Sequence, residues 1–192
     1  IWGRENDTGL INYNKESNSF KFHKQSPNSY YIKTDIDLEE ITNINTLQFT
    51  DKSIDVQKDI IGVFGLIKEK NDITGKTYRL YNAALGRFPD HDGLKYWIDK
   101  NTSGIDTYRE TAQSFIISNE FYNLYGNNSN NTEYIKNLYS NVLSRSPDQK
   151  GFNYWLNQLS GGYEDRSEIL MGFSESLENK TIFSNETSIF WI

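Results

Sequence analysis

Leu80-Tyr81-Asn82-Ala83-Ala84-Leu85-Gly86-Arg87-Phe88-Pro89-Asp90-His91-Asp92-Gly93-Leu94-Lys95-Tyr96-Trp97 returns later in the chain as Leu138-Tyr139-Ser140-Asn141-Val142-Leu143-Ser144-Arg145-Ser146-Pro147-Asp148-Gln149-Lys150-Gly151-Phe152-Asn153-Tyr154-Trp155. The register is 58 residues at every anchor: Arg87 to Arg145, Pro89 to Pro147, Asp90 to Asp148, Gly93 to Gly151, Trp97 to Trp155. It continues downstream, carrying Phe115 onto Phe173, Ser118 onto Ser176 and Glu120 onto Glu178. A supersecondary unit repeated in this way buries its apolar face against a neighbouring unit, so the repetition implies a structural purpose first.

Within each copy the apolar spacing is that of helices. Tyr134, Ile135, Leu138, Tyr139 and Val142 make one stripe, and Phe152, Trp155, Leu156 and Leu159 make the next. Between the two helices stands Arg-Xaa-Pro-Asp. Proline cannot continue the first helix but suits the start of the second. Asp90 and Asp148 then cap that second helix, where free N–H groups and the helix dipole favour a carboxylate. Arg87 and Arg145 fall at the C-terminal end of the first helix, which favours a cation. A third helix (about 106–117 and 165–175) and a short fourth (about 119–125 and 176–183) complete each copy. Trp97 and Trp155 lie on the apolar stripe and are expected to be buried. Tyr96 and Tyr154 flank it, turned about 100° away, and are expected near the surface.

The chain before the repeats reads differently. Ser19-Phe20-Lys21-Phe22-His23, Leu47-Gln48-Phe49 and Ser53-Ile54-Asp55-Val56 alternate apolar and polar residues, the signature of half-buried strands. Gln25 to Ser29 reads as a plain loop. Val56 to Lys68 fits either a last strand or a short helix. The expected fold class is therefore α+β: a β-rich region over 1–68, then an all-α bundle over 76–192 with copies at about 76–133 and 134–192. The polar stretch Glu69 to Gly75 is the expected boundary.

Composition bounds the function. Net charge is −6 among 192 residues and the isoelectric point is near 5.0, which disfavours nucleic acid as a partner. No apolar run approaches the length of a membrane span, so membrane insertion is not expected. The absence of cysteine removes disulfides, thiolate nucleophiles and cysteine-ligated zinc. The chain is polar (mean hydropathy −0.71) yet carries 13 Tyr, 11 Phe and 4 Trp, rings large enough to fill a core from few positions.

No catalytic residues are expected. The two histidines are His23 and His91, and the repeat replaces His91 by Gln149. Asp90-His91-Asp92 resembles a metal cluster until the second copy replaces it with Asp148-Gln149-Lys150, which keeps the helix cap and discards the cluster. The carboxylate pairs Asp90/Asp148 and Glu120/Glu178 arise from repetition rather than from facing across a cleft. No nucleophile elbow, phosphate loop or His-Glu-x-x-His helix is present.

The string Arg-x-Pro-Asp-x-x-Gly-Leu/Phe-x-Tyr-Trp, twice, followed by Gly172 to Asn179, resembles a tandem helical domain of unknown function. That family sits near the C-termini of large secreted bacterial proteins, many cyanobacterial, often after RTX calcium-binding repeats. It is distantly similar to the helical linker domains of phycobilisomes. The N-terminal part resembles the end of an RTX-like region: Ile44 to Ile54 is similar to its closing strand, and Trp2 to Thr8 has the spacing of a Gly-Gly-x-Gly-x-Asp turn. Trp2 and Glu5 replace two of the glycines that aim carbonyls at calcium, so 1–68 reads as a degenerate capping region. No cofactor is expected, with Asp7 the one candidate calcium ligand.

The resemblance implies a non-catalytic C-terminal structural, assembly or adhesion module of an extracellular or cell-surface bacterial protein. Its partners would be other protein chains or preceding β-repeats, with Trp2, Tyr30 and Trp191 as candidate interface residues. The alternative is a carbohydrate-binding module that presents exposed Tyr and Trp to a surface polysaccharide.

Overall fold

The computed structural model describes residues 9–190 and is an α+β protein. Two small sheets come first. Strand β1 (Leu10–Asn12) pairs in parallel with β5 (Thr46–Gln48), which pairs antiparallel with β6 (Ser53–Asp55). Between β1 and β5 the chain forms a three-stranded antiparallel meander of β2 (Lys21–Ser26), β3 (Ser29–Lys33) and β4 (Leu38–Glu40). The stretch expected to be a plain loop is the tight hairpin joining β2 to β3, with Pro27 and Asn28 at its tip and Phe22 opposite Ile32. Both of those side chains point into the core at 1 % exposure. Strands β1, β3 and β4 lack a clear alternating pattern, and pairing with neighbours defines them.

The undecided stretch after β6 is helical. It makes one π-helical turn over Val56–Ile61, with the Asp55 carboxylate accepting from the Lys58 amide at 2.7 Å, and runs on as α1 (Gly62–Leu66).

Two sets of four helices follow: α2 (Ile73–Leu85), α3 (His91–Thr102), α4 (Tyr108–Ile116) and α5 (Asn119–Tyr125), then α6 (Asn131–Leu143), α7 (Gln149–Ser160), α8 (Arg166–Ser174) and α9 (Leu177–Thr187). Each copy opens earlier than its apolar stripe suggests, because Asp72 and Asn130, one repeat apart, are the N-caps of α2 and α6. The helix exits also correspond. Both α2 and α6 end on a left-handed residue, Gly86 (φ 65°) in the first copy and Ser144 (φ 54°) in the second. Glycine adopts that backbone freely and serine does not. The third helix of each copy opens with a full capping box, Thr107/Glu110 and Asp165/Glu168.

Helix α2 is the hub, packing on α3, α4, α5, α6, α8 and α9. One apolar cluster, built on Leu80, Ala84, Phe115, Phe121, Leu138, Ile169 and Phe173, belongs to both helical copies. A second joins the β-region to the helices: Phe22, Ile32, Leu47, Ile60 and Phe64 pack with Tyr78, Leu94, Ile98 and Phe183. The β-region and the repeats therefore share a core across the expected boundary. Helix α9 closes the arrangement, lying on β2 with the Ser188 hydroxyl donating to the Lys24 carbonyl at 2.7 Å.

Candidate functional site

The repeated Arg-x-Pro-Asp turn forms the same clamp twice. In the second copy Arg145 lies over the Tyr139 ring, 4.9 Å from its centre. Its Nε and Nη2 donate to Glu178 at 2.7 and 2.8 Å. In the first copy Arg87 lies over Tyr81 at 5.2 Å and makes the same forked pair with Glu120. Asp90 and Asp148 accept from the Gly93 and Gly151 amides at 2.7 and 2.8 Å. One guanidinium thus ties the end of the first helix to the start of the fourth, beside the carboxylate that caps the second. The role expected of Arg87 and Arg145, a cation facing a helix C-terminus, is secondary to this ion pair. Glu120 and Glu178 share the repeat register, and that was the sequence signal of a partner.

Packing explains the glycine of the motif. A Cβ on Gly93 would stand 2.6 Å from Asp90 Oδ1, and one on Gly151 would stand 2.3 Å from the Tyr139 hydroxyl. Pro89 and Pro147 stand one residue before the capping aspartates, outside the second helix and not in its first turn, and Asp90 and Asp148 themselves have extended backbone. Burial pushes the Asp90 carboxyl up, but hydrogen bonds from the Tyr81 hydroxyl and the Gly93 amide outweigh it and hold Asp90 below its ordinary range. Pairing with Arg145 holds Glu178 low in the same way. Burial raises Tyr81 well above an ordinary phenol. Chemically, the clamp holds three helix ends together, with its charges directed at one another.

Trp97 and Trp155 occupy equivalent positions, 5.2 and 5.3 Å from Phe115 and Phe173. Both are half-buried rather than enclosed, because each sits at the rim where the second helix meets the third. Tyr96 and Tyr154 stand edge-on to them at 5.0 Å, each 52 % exposed. Tyr30, read as an interface residue, is instead 9 % exposed in the β-region core, its hydroxyl donating to the Pro27 carbonyl. On β3 it shares the inward face with Ile32, and that strand was not recognised in the sequence. Trp2, Asp7 and Trp191 lie outside the described residues. Of the apolar C-terminal run, Ile189 packs on the core shared with the β-region, while Phe190 is 50 % exposed and its carbonyl accepts from Lys70.

Two buried charged groups went unnoticed in the sequence. Arg79 on α2 is 1 % exposed and pairs with Glu175, which follows α8, through three N–O contacts of 2.7 to 2.9 Å. Glu186 on α9 is 6 % exposed, 3.5 Å from the Lys21 ammonium, and burial raises its carboxyl above the ordinary value. A cleft of about 150 Å³ separates the first clamp from the β-region, lined by Lys52, Asp59, Arg87, Phe88 and Asp90 among others. It is smaller than the roughly 300 Å³ at which small-molecule pockets begin. Among the described residues, no group of three or more His, Asp or Glu side chains is placed to hold a metal ion, and no helix is long and apolar enough to cross a membrane.

No curated protein and no solved structure matches the chain. Residues 112–183, from within α4 of the first copy to α9 of the second, match the family model of a domain of unknown function, DUF4214.

Proposed function

We propose that this chain is a non-catalytic structural and assembly module of a larger extracellular bacterial surface protein, placed after an RTX-like region that its β-rich part terminates. The observation that carries the reading is the use made of the repeated motif. Arg87, Asp90 and Glu120, and likewise Arg145, Asp148 and Glu178, are spent on one another in holding helix ends. A motif repeated for a reaction would aim such groups at a common space. The shared core of β-region and helices supports a module that acts as one body. Its partners would be other protein chains or the preceding β-repeats. The test compares the full-length parent with a form lacking residues 9–190 for incorporation into the cell-surface fraction. Equal incorporation would refute the proposal.

A second reading, carbohydrate binding, is favoured by one observation: Tyr96 and Tyr154 are equally exposed beside half-buried indoles in both copies. Aromatic faces of this kind stack on sugar rings. Affinity electrophoresis through surface polysaccharide decides it. Retardation abolished by Tyr96→Ala with Tyr154→Ala would establish this reading over the first.

A further inference from the structure

The two copies differ in what covers their second helix. On α3, Leu94 and Ile98 are 0 % and 7 % exposed. The segment Val56–Leu66 lies across that helix and shares an apolar cluster with both residues. An exposed ion pair from Lys58 to Asp92 at 2.7 Å lies at its edge, and Gly62 approaches closely enough that a Cβ would meet the His91 ring at 3.0 Å. One repeat later, Phe152 and Leu156 stand for Leu94 and Ile98 on α7. Helix α7 keeps the apolar stripe, and Phe152 and Leu156 pack with one edge against the helical core, yet both stay half-buried and no residue of the helix is buried. Among the described residues its main contacts are with α6 and α8, and nothing takes the place of Val56–Leu66.

The charges beside this face have changed as well. Lys150 stands where Asp92 meets Lys58, and Lys136 stands where Tyr78 packs on the β-region. Both lysines are exposed, and among the described residues neither is in an ion pair. The covered copy thus shows the kind of element that fits, a short amphipathic helical segment, and the uncovered copy asks for it with the opposite charge.

We infer that the α7 face around Phe152 and Leu156 is a docking site for a short, acidic amphipathic helical segment of a partner chain. The segment takes the place that Val56–Leu66 takes on α3, with a carboxylate meeting Lys150. The inference rests on the reading of this chain as an assembly module and names its contact surface. Apolar anchors on such a face supply the affinity, and the charge sets register and discrimination.

The experiment uses a peptide of residues 53–68 carrying Lys58→Glu, beside the same peptide unaltered. Each is added to the isotopically labelled chain and also tethered behind residue 192 by a flexible linker, which raises its effective concentration to the millimolar range. The Lys58→Glu peptide is expected to shift the amide resonances of α7 and of α6 around Lys136, and Leu156→Asp should abolish those shifts. The unaltered peptide should bind about tenfold more weakly, and Lys150→Glu should reverse that preference without altering the melting temperature. The inference is overturned if the tethered Lys58→Glu peptide leaves α7 unperturbed, or if charge reversal at Lys150 has no effect on preference. It is equally overturned if the peptide-free chain sediments as a dimer that Leu156→Asp dissociates, since a second copy would then be the occupant. A parent lacking residues 9–190 that still reaches the surface fraction would sink the module reading while leaving these binding results standing, so the two failures are distinct.

Discussion

Replacing Arg79 by Met tests the buried ion pair between the two helical copies. The guanidinium is 1 % exposed and the Glu175 side chain 21 %, so little solvent screens the pair. Arg79 also donates to the Lys70 carbonyl at 2.6 Å and lies over Phe183 at 4.9 Å. Arg79→Met keeps most of the side-chain volume but leaves the Glu175 carboxylate with Lys180, 3.3 Å away, and the Lys70 carbonyl without this donor. Removing one member of a buried pair costs about 3–5 kcal/mol, with the lower end expected here because Lys180 and partial exposure compensate the Glu175 carboxylate in part. For a chain of this size that is a fall in Tm of roughly 6–20 °C. Chemical denaturation of Arg79→Met, Glu175→Leu and the double variant measures it. An apolar pair tolerates burial that a lone charge does not, so the double variant should lose at least about 2 kcal/mol less than the sum of the singles. High salt should change the wild-type pair little, since screening acts weakly on buried charges. A loss below about 1 kcal/mol for Arg79→Met, or strict additivity, would refute the reasoning.

Gly75→Ala should destabilise by about 1–3 kcal/mol, although alanine is the better helix former, because its Cβ would stand 2.3 and 2.6 Å from the Glu69 and Lys70 carbonyl oxygens; thermal melting reads the sign, and a stabilised variant would show that the 69–72 turn yields freely. Burial raises the folded-state pKa of Glu186, so the folded protein holds its proton more tightly and stability falls as pH rises from roughly 4.3 through that raised value. Glu186→Gln should therefore flatten the stability profile over that window and cost nothing near neutral pH, whereas a loss at pH 7 would mean that the Lys21 pair outweighs desolvation. Calcium at millimolar concentration should leave melting unchanged, because Trp2 and Glu5 stand where an RTX turn has glycines; a rise of several degrees that Asp7→Ala abolishes would restore a calcium site.

The helical repeats were legible because their signals are local. Aspartates that cap helices, a proline that ends one, and apolar residues at helical spacing act within a few positions, and repetition shows each twice. The partnership of Arg145 with Glu178 crosses 33 residues and was visible only as two matches in one register. Arg79 and Glu175 carried no such signal, because Asn137 and Ile117 stand at the corresponding places in the other copies. Strand β3 reads Ser-Tyr-Tyr-Ile-Lys, with Tyr31 apolar on the outward face beside inward Tyr30 and Ile32, while β1 (Leu-Ile-Asn) and β4 (Leu-Glu-Glu) do not alternate at all; without β3 the inward direction of Tyr30 was hidden. Trp97 and Trp155 follow the apolar stripe as read, but a stripe gives direction and not depth, and both rings stop at the rim.

The contact of α9 with β2 fixes the order in which this chain can finish folding. Lys24 and Ser188 meet across 164 residues, while helices within each copy meet across a few tens. Contacts of short range form early, and those that close long loops form late. On the ribosome the β-region emerges first and must wait for α9, on the order of ten seconds or more at synthesis rates of roughly 5–20 residues per second. Through that interval the apolar surface of Phe22 and Ile32 is without the Phe183 ring that shares their core. A nascent chain stalled or cut before α9 would hold formed helices beside an unclosed sheet, and is the species a chaperone would be expected to hold.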